Sequence, residues 1–195
     1  MKEQKNINPL YEAFYIQSMK FNTASAINSL DILEEEFKKI PTKHTPEHMH
    51  ELDWSLILNN LQNIIIQAGV ISKYFWPIRN SHKWRGIQLR KSFDIKDNNP
   101  LKSRDLRDAI EHFDERLDCY LKNSIHGIFL PEYIGSNLEH SNIPTHRFRA
   151  YYIDNMVFQL LDKYYEINPI IKEILKIHDI LTECMENGNL PKNST

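Results

Sequence analysis

Arg147-Phe148-Arg149-Ala150-Tyr151-Tyr152-Ile153, followed by Asp154-Asn155 and Met156-Val157-Phe158, is the stretch on which the fold class turns. Its first residues alternate in character, as on a half-buried strand whose neighbours point to opposite faces. Asp154-Asn155 then supplies two residues that tolerate left-handed backbone, as a tight hairpin turn requires. The same residues also read as a continuing helix, so a small β-hairpin and a helical segment both stay open.

Upstream and downstream the pattern is helical. Pro9, Pro46, Pro100 and Pro169 follow Asn8, Thr45, Asn99 and Asn168, and a side-chain cap followed by proline is a helix start. From Pro9 to Ile40 the residues Leu10, Phe14, Phe21, Ala24, Ile27 and Leu30 continue through Leu33, Phe37 and Ile40 at helical spacing. Gln17 is the one polar entry in this stripe. Pro46 to Phe75 repeats the pattern through Trp54, Ile57, Leu61, Ile64, Ala68 and Ile71. A second row, Leu58, Ile65 and Ser72, predicts a helix contacted on more than one side. Residues 78–99 fit a loop with a short helix, and 101–122 a third long helix bearing Leu106, Ile110, Phe113, Leu117 and Tyr120 on one face. Gly127, Pro131, Gly135 and Pro144 mark an irregular stretch, and a last helix runs from Pro169 to Glu186 with Gly188 as its left-handed cap.

The expectation is therefore a mainly all-α protein: an antiparallel four-helix bundle with a short extra helix and a small β-hairpin. One domain spans 1–195, with 1–7 and 189–195 as flexible tails. Only five glycines in 195 residues exclude a glycine-punctuated barrel or a Rossmann fingerprint, which need several left-handed or closely approached backbone positions. A net charge of −2 argues against coating nucleic acid through overall positive charge. The start, Met1-Lys2-Glu3-Gln4-Lys5, has no apolar leader run, and no stretch approaches the ~20 apolar residues of a membrane span. The expected setting is cytoplasmic, with Cys119 and Cys184 as reduced, semi-buried thiols.

The candidate chemistry lies in Arg104-Asp105-Leu106-Arg107-Asp108-Ala109-Ile110-Glu111-His112. An arginine, a polar residue after it and a histidine a few residues on resembles the HEPN superfamily of helical bundles, on Arg107, Asp108 and His112. Where some HEPN proteins carry a tyrosine two residues after the histidine, this chain has Asp114, so no role tied to that tyrosine carries over. The resemblance implies a metal-independent endoribonuclease of a toxin–antitoxin or anti-phage defence system, acting as a homodimer and needing no cofactor. His112 would be the general base or acid, Arg107 the phosphate clamp and Asp108 the group that orients the imidazole. These residue types suit the task, since histidine titrates near neutrality and the guanidinium is a permanent, planar cation. Five residues advance a helix by about 140°, so Arg107 and His112 do not share a face, and a composite site across a two-fold axis is expected.

Residues 79–107 carry nine basic side chains against three acidic ones, a local net of +6. Arg79, Lys83, Arg85, Arg90, Lys91 and Arg104 are the candidate RNA-binding residues, while Trp76, Trp84 and Phe93 read more readily as core or lid than as base-stacking platforms. His44, His48 and His50 do not converge at helical spacing, and no metal site is assigned to them. The same charged helix face also fits a second class of function, a non-catalytic module that binds a partner protein such as a cognate antitoxin. The i,i+4 pairs Arg104–Asp108 and Arg107–Glu111 are ordinary surface features on a structural reading.

Overall fold

The Asn8 side chain accepts the Leu10 amide at 3.0 Å and Pro9 follows it, so α1 (Pro9–Phe37) begins where its cap and proline direct. In the computed structural model, residues 7–40, 52–103, 105, 108, 113–122, 126–137 and 143–191 are described. Helix α2 (Trp54–Phe75) starts later than the Thr45-Pro46 pair suggested. Asp53 is its extended-backbone cap and accepts the Leu56 amide at 2.9 Å, while residues 41–51 lie outside the described residues. Both apolar rows of α2 are covered: Ile57, Leu61, Ile64 and Ile71 on one, Leu58, Ile65 and Ser72 on the other. It is the central helix, flanked by α1 and by the sheet.

The short helix expected within 78–99 is α3 (Lys83–Ser92). It sits at the C-terminal end of α2, where the last turn leaves carbonyls without helical donors. Arg85 donates from Nη2 to the Lys73 carbonyl at 3.0 Å, and Arg90 donates to the Phe75 carbonyl. Gly86 is required here, because a Cβ would lie 2.5 Å from the Phe75 oxygen. The aromatics of this region serve packing: Phe93 is buried against Phe75, with Trp76 and Trp84 against the same core.

The last helix is longer than Pro169–Glu186. It runs from Ile167 to Asn187, with Pro169 inside the first turn and Gly188 left-handed at φ 72°. It is named α5, because α4 (Phe113–Lys122) precedes it. Helix α5 packs antiparallel to α1: the Leu190 amide donates to Glu12 at 2.9 Å, and His178 meets Lys20 and Thr23. Of the ends expected to be flexible, Ile7 and Leu190 are both buried.

The four-helix-bundle expectation is corrected by a four-stranded mixed sheet in order β1-β2-β3-β4. The strands are β1 (Ile128–Gly135), β2 (Thr145–Tyr152), β3 (Val157–Leu160) and β4 (Lys163–Glu166). The hairpin reading holds for β2 and β3, which pair antiparallel with Tyr152 opposite Val157. The left-handed residue of that turn is Met156, at φ 54°, rather than Asp154 or Asn155. Strand β1 adds on the far side of β2, parallel to it, with Ile128 opposite Thr145 and Gly135 opposite Tyr152. Pro131 does not break β1, because an edge strand has no ladder on its outer side to need the missing N–H. Gly127 begins the strand at φ 129°, with its Cβ position 2.0 Å from the Pro144 carbonyl, so only glycine admits this approach.

The third long helix is also corrected. Asn99 caps as expected, accepting the Leu101 amide at 2.9 Å, but Pro100–Lys102 is a single 3-10 turn and Ser103 is extended at ψ 132°. Asp105 and Asp108 are helical, and α4 follows. One contiguous core then joins α1, α2 and α5 to the inner side chains of the sheet, including Ile134, Tyr151, Phe158, Leu160 and Tyr165. Phe37 at the end of α1 stacks on Tyr151, ring centroids 5.4 Å apart.

The face of α1 that packs inward is Ile16, Met19, Thr23, Ala26, Ser29 and Leu33. That corrects the stripe read from spacing: Leu10, Phe14 and Phe21 are 78%, 73% and 72% exposed, and the stripe turns inward only from Ile27 onward. Among the described residues no helix is long and apolar enough to cross a membrane.

Candidate functional site

A cleft of about 350 Å3 opens between α4 and the β3–β4 turn, lined by Glu115, Arg116, Cys119, Tyr120 and Asp162. Four of these fall at helical spacing on α4, so a single helix face supplies one wall. The turn supplies the other. Arg116 donates to Asp162 Oδ1 at 3.0 Å across it, and its side chain is 24% exposed. Burial opposes the Arg116 charge, but the Asp162 carboxylate and Tyr165 outweigh it and hold the guanidinium above its ordinary range. Asp162 responds in kind: burial raises its carboxyl, and the hydrogen bond from Arg116 brings it below the usual value. The pair is ionised at neutral pH and fixes the turn to the helix.

Tyr120 reaches β2. Its hydroxyl lies 2.8 Å from His146 Nδ1, and His146 Nε2 lies 3.1 Å from the His126 carbonyl. A carbonyl only accepts, so Nε2 carries the proton, Nδ1 is the acceptor and Tyr120 donates. Burial raises the Tyr120 pKa, with Tyr164 and Asp162 adding to it, which keeps the phenol protonated in this role. Tyr120 also packs edge-on to Phe148, so α4 is held to β2 by ring contacts as well as by the hydrogen bond. Cys119, expected to be semi-buried, is exposed at the cleft, whereas Cys184 is buried in α5 and its thiol is pushed up to about 11 by burial.

Of the described residues among those singled out in the sequence, Asp108 is helical and half-buried, upstream of α4. Arg104, Arg107 and His112 lie outside the described residues, as do His44, His48 and His50. Arg85 and Arg90 are half-buried and spent on the carbonyls that end α2. Arg85 also lies over Tyr15 and Tyr74 at 5.6 and 5.7 Å, and Arg90 over Trp76 at 5.6 Å. Arg79, Lys83 and Lys91 are exposed around α3. The sheet meets the opposite half of α2, through Arg149 to Gln62 at 2.9 Å and Trp54 against Tyr133. The described basic residues of α3 therefore lie at the C-terminal end of α2, while the sheet meets the N-terminal half of that helix.

Tyr120, His146 and Asp162 were not singled out as site residues from the sequence. Tyr120 has a local signal, four residues after Arg116 on one helix face. His146, the Tyr120 partner on β2, and Asp162, in the β3–β4 turn, have none, since only the sheet brings them to α4. No protein-family model, curated protein or solved structure matches the chain.

Proposed function

We propose that the protein is a metal-independent endoribonuclease whose reacting groups are carried by the segment that precedes α4. The observation that supports this reading is continuity. The segment Arg107-Asp108-Ala109-Ile110-Glu111-His112 leads directly into the helix whose Glu115, Arg116, Cys119 and Tyr120 line the cleft of about 350 Å3. In this reading His112 takes the proton of a ribose 2′-hydroxyl and the 2′-oxygen attacks phosphorus. The bond from phosphorus to the 5′-oxygen breaks, and that oxygen leaves protonated by solvent at the open cleft. Arg107 stabilises the extra negative charge on the phosphoryl oxygens, Asp108 orients the imidazole, and Arg116 adds a fixed cation at the cleft wall. The products are a 2′,3′-cyclic phosphate and a 5′-hydroxyl end. A role in toxin or defence systems belongs to the same proposal. So does an RNA track over the exposed residues Arg79, Lys83 and Lys91.

The test is cleavage of single-stranded RNA by purified wild type, His112→Ala and Arg107→Ala in the presence of EDTA, with end-group analysis. Cleavage by wild type alone, leaving the stated ends, supports the reading. Intact RNA with wild type, equal rates for His112→Ala, or equal cutting of DNA would sink it. A stable hetero-complex without any RNase activity would instead mark a binding module.

A further inference from the structure

We propose that the exposed face of α1, Leu10, Phe14, Gln17, Phe21 and Ala24, is the surface through which two copies of this chain pair antiparallel about a two-fold axis passing Gln17. The first ground is exposure. Leu10, Tyr11, Phe14 and Phe21 are 78%, 58%, 73% and 72% exposed, although α1 is packed by α2 and α5 on its other sides. Isolated exposed apolar side chains are ordinary, whereas a contiguous row of large ones marks an interaction surface. Met185 on α5 is also 50% exposed.

The second ground is symmetry within the row. The spacings four, three, four and three, from residue 10 to residue 24, are the alternation that keeps one helix seam facing a partner helix. The row runs seven residues to either side of Gln17. In an antiparallel pair with Gln17 opposite itself, Leu10 faces Ala24, and Phe14 comes within one residue of Phe21 of the other copy. Large residues then oppose large ones in the middle and large oppose small at the ends, and the central glutamines hydrogen-bond across the axis and set the register. An isologous contact of this kind needs one patch that is complementary to itself.

Charge and area agree. Between Leu10 and Leu30 the charged residues are Glu12, which accepts the Leu190 amide, and Lys20, which is turned back to His178 and Thr182. The outer face is thus uncharged, which suits a second apolar helix and gives nothing to a phosphate backbone or an anionic bilayer. Of the segments outside the described residues, Met1–Asn6, 41–51, 138–142 and Lys192–Thr195 are dominated by polar residues. Covering four large side chains at roughly 150 Å2 each removes about 1,200 Å2 from water over two copies, the lower end of stable interfaces. The pairing is made by α1 alone and uses none of the residues that line the cleft. It does not rest on the ribonuclease reading.

The experiment is sedimentation velocity of the full chain at micromolar concentration, for wild type and the double variant Phe14→Asp/Phe21→Asp, with thermal unfolding of both by circular dichroism. The expected result is a dimer for wild type and a monomer with unchanged Tm for the variant, since neither phenylalanine is in the core. A monomeric wild type, or a dimer that survives the double substitution, overturns the proposal. So does wild type that co-sediments as a monomer with phosphatidylserine vesicles through these phenylalanines. Orientation is read from cysteines introduced in a Cys119→Ser background. Gln17→Cys is expected to form an inter-chain disulfide and Leu10→Cys is not, because antiparallel copies hold their Leu10 positions about 21 Å apart. A Leu10→Cys cross-link equal to that of Gln17→Cys refutes the antiparallel register.

Discussion

The Tyr120 hydroxyl donates to His146 Nδ1 at 2.8 Å and so ties α4, a helix with no fully buried residue, to the second strand of the sheet. The bond is the polar part of an attachment otherwise made by ring contacts to His146 and Phe148. Tyr120→Phe keeps those contacts and removes the hydrogen bond. It is expected to lower stability by about 1 kcal/mol, read from urea unfolding. Nitrogen NMR of the His146 ring should show the Nε2–H form in wild type and a mixture of tautomers in the variant. An unchanged tautomer would refute the assigned proton positions.

The guanidinium of Arg90 terminates α2 rather than serving a surface charge. Arg90→Ala should cost about 1.5–3 kcal/mol through the lost charged hydrogen bond to the Phe75 carbonyl, measured by chemical unfolding. Lys83→Ala, on the exposed side of α3, should change stability by less than about 0.5 kcal/mol. If RNA binding is detected, Lys83→Ala is expected to reduce the salt dependence of that binding.

His178 makes stability depend on pH. Lys20 donates to its Nε2 at 2.8 Å, and its Nδ1–H is shared with Thr23 at 2.9 Å, so the ring is held neutral. Burial lowers its pKa below the ordinary 6.5, the Lys20 charge lowers it further, and Asp179 opposes them. The unfolded chain therefore binds the proton more readily than the folded one. Stability from this group is constant above pH 6.5 and falls as pH drops from 6.5 through the folded pKa. His178→Gln should flatten that part of the stability profile, followed as Tm against pH between 7 and about 5.

Ile177 is fully buried where α5 meets the core. Ile177→Ala should cost about 2–5 kcal/mol in unfolding free energy, since the cavity adds to the lost transfer term. Gly127→Ala should damage the sheet locally, because its Cβ would fall 2.0 Å from the Pro144 carbonyl. Faster hydrogen exchange at the Ile128 amide, bonded to Pro144 O at 2.9 Å, is the readout.

Helix ends were legible because caps are local. Asn8-Pro9 and Gly188 each act through their own backbone and one or two neighbours, and both stand where the sequence placed them. Asn99-Pro100 capped as expected yet began only a 3-10 turn, since Ser103 turns extended immediately after it. The β2–β3 hairpin was readable as an alternative because its pairing closes over a short turn. Strands β1 and β4 were not. Gly127, Pro131 and Gly135 look like breakers until β1 is known to be an edge strand, and β4 is a short strand that runs straight into a helix. Of the cleft, Glu115, Arg116, Cys119 and Tyr120 share a helix face visible in the sequence, while Asp162, like the Tyr120 partner His146, is brought to α4 by the sheet.

The sequence by itself determined where backbone conformation changes and which residues recur at helical spacing, because capping, proline and side-chain periodicity act over a few residues. It could not assign the apolar rows to the inside. The stripe through Leu10, Phe14 and Phe21 and the row through Ile16, Met19 and Ala26 lie on one helix, and only contact with α2 and α5 selected the second for burial. Tertiary structure likewise turned the stretch read as irregular, followed by a hairpin or a helix, into a four-stranded mixed sheet. The parallel pairing of β1 with β2 is satisfied by hydrogen bonds that no local pattern encodes.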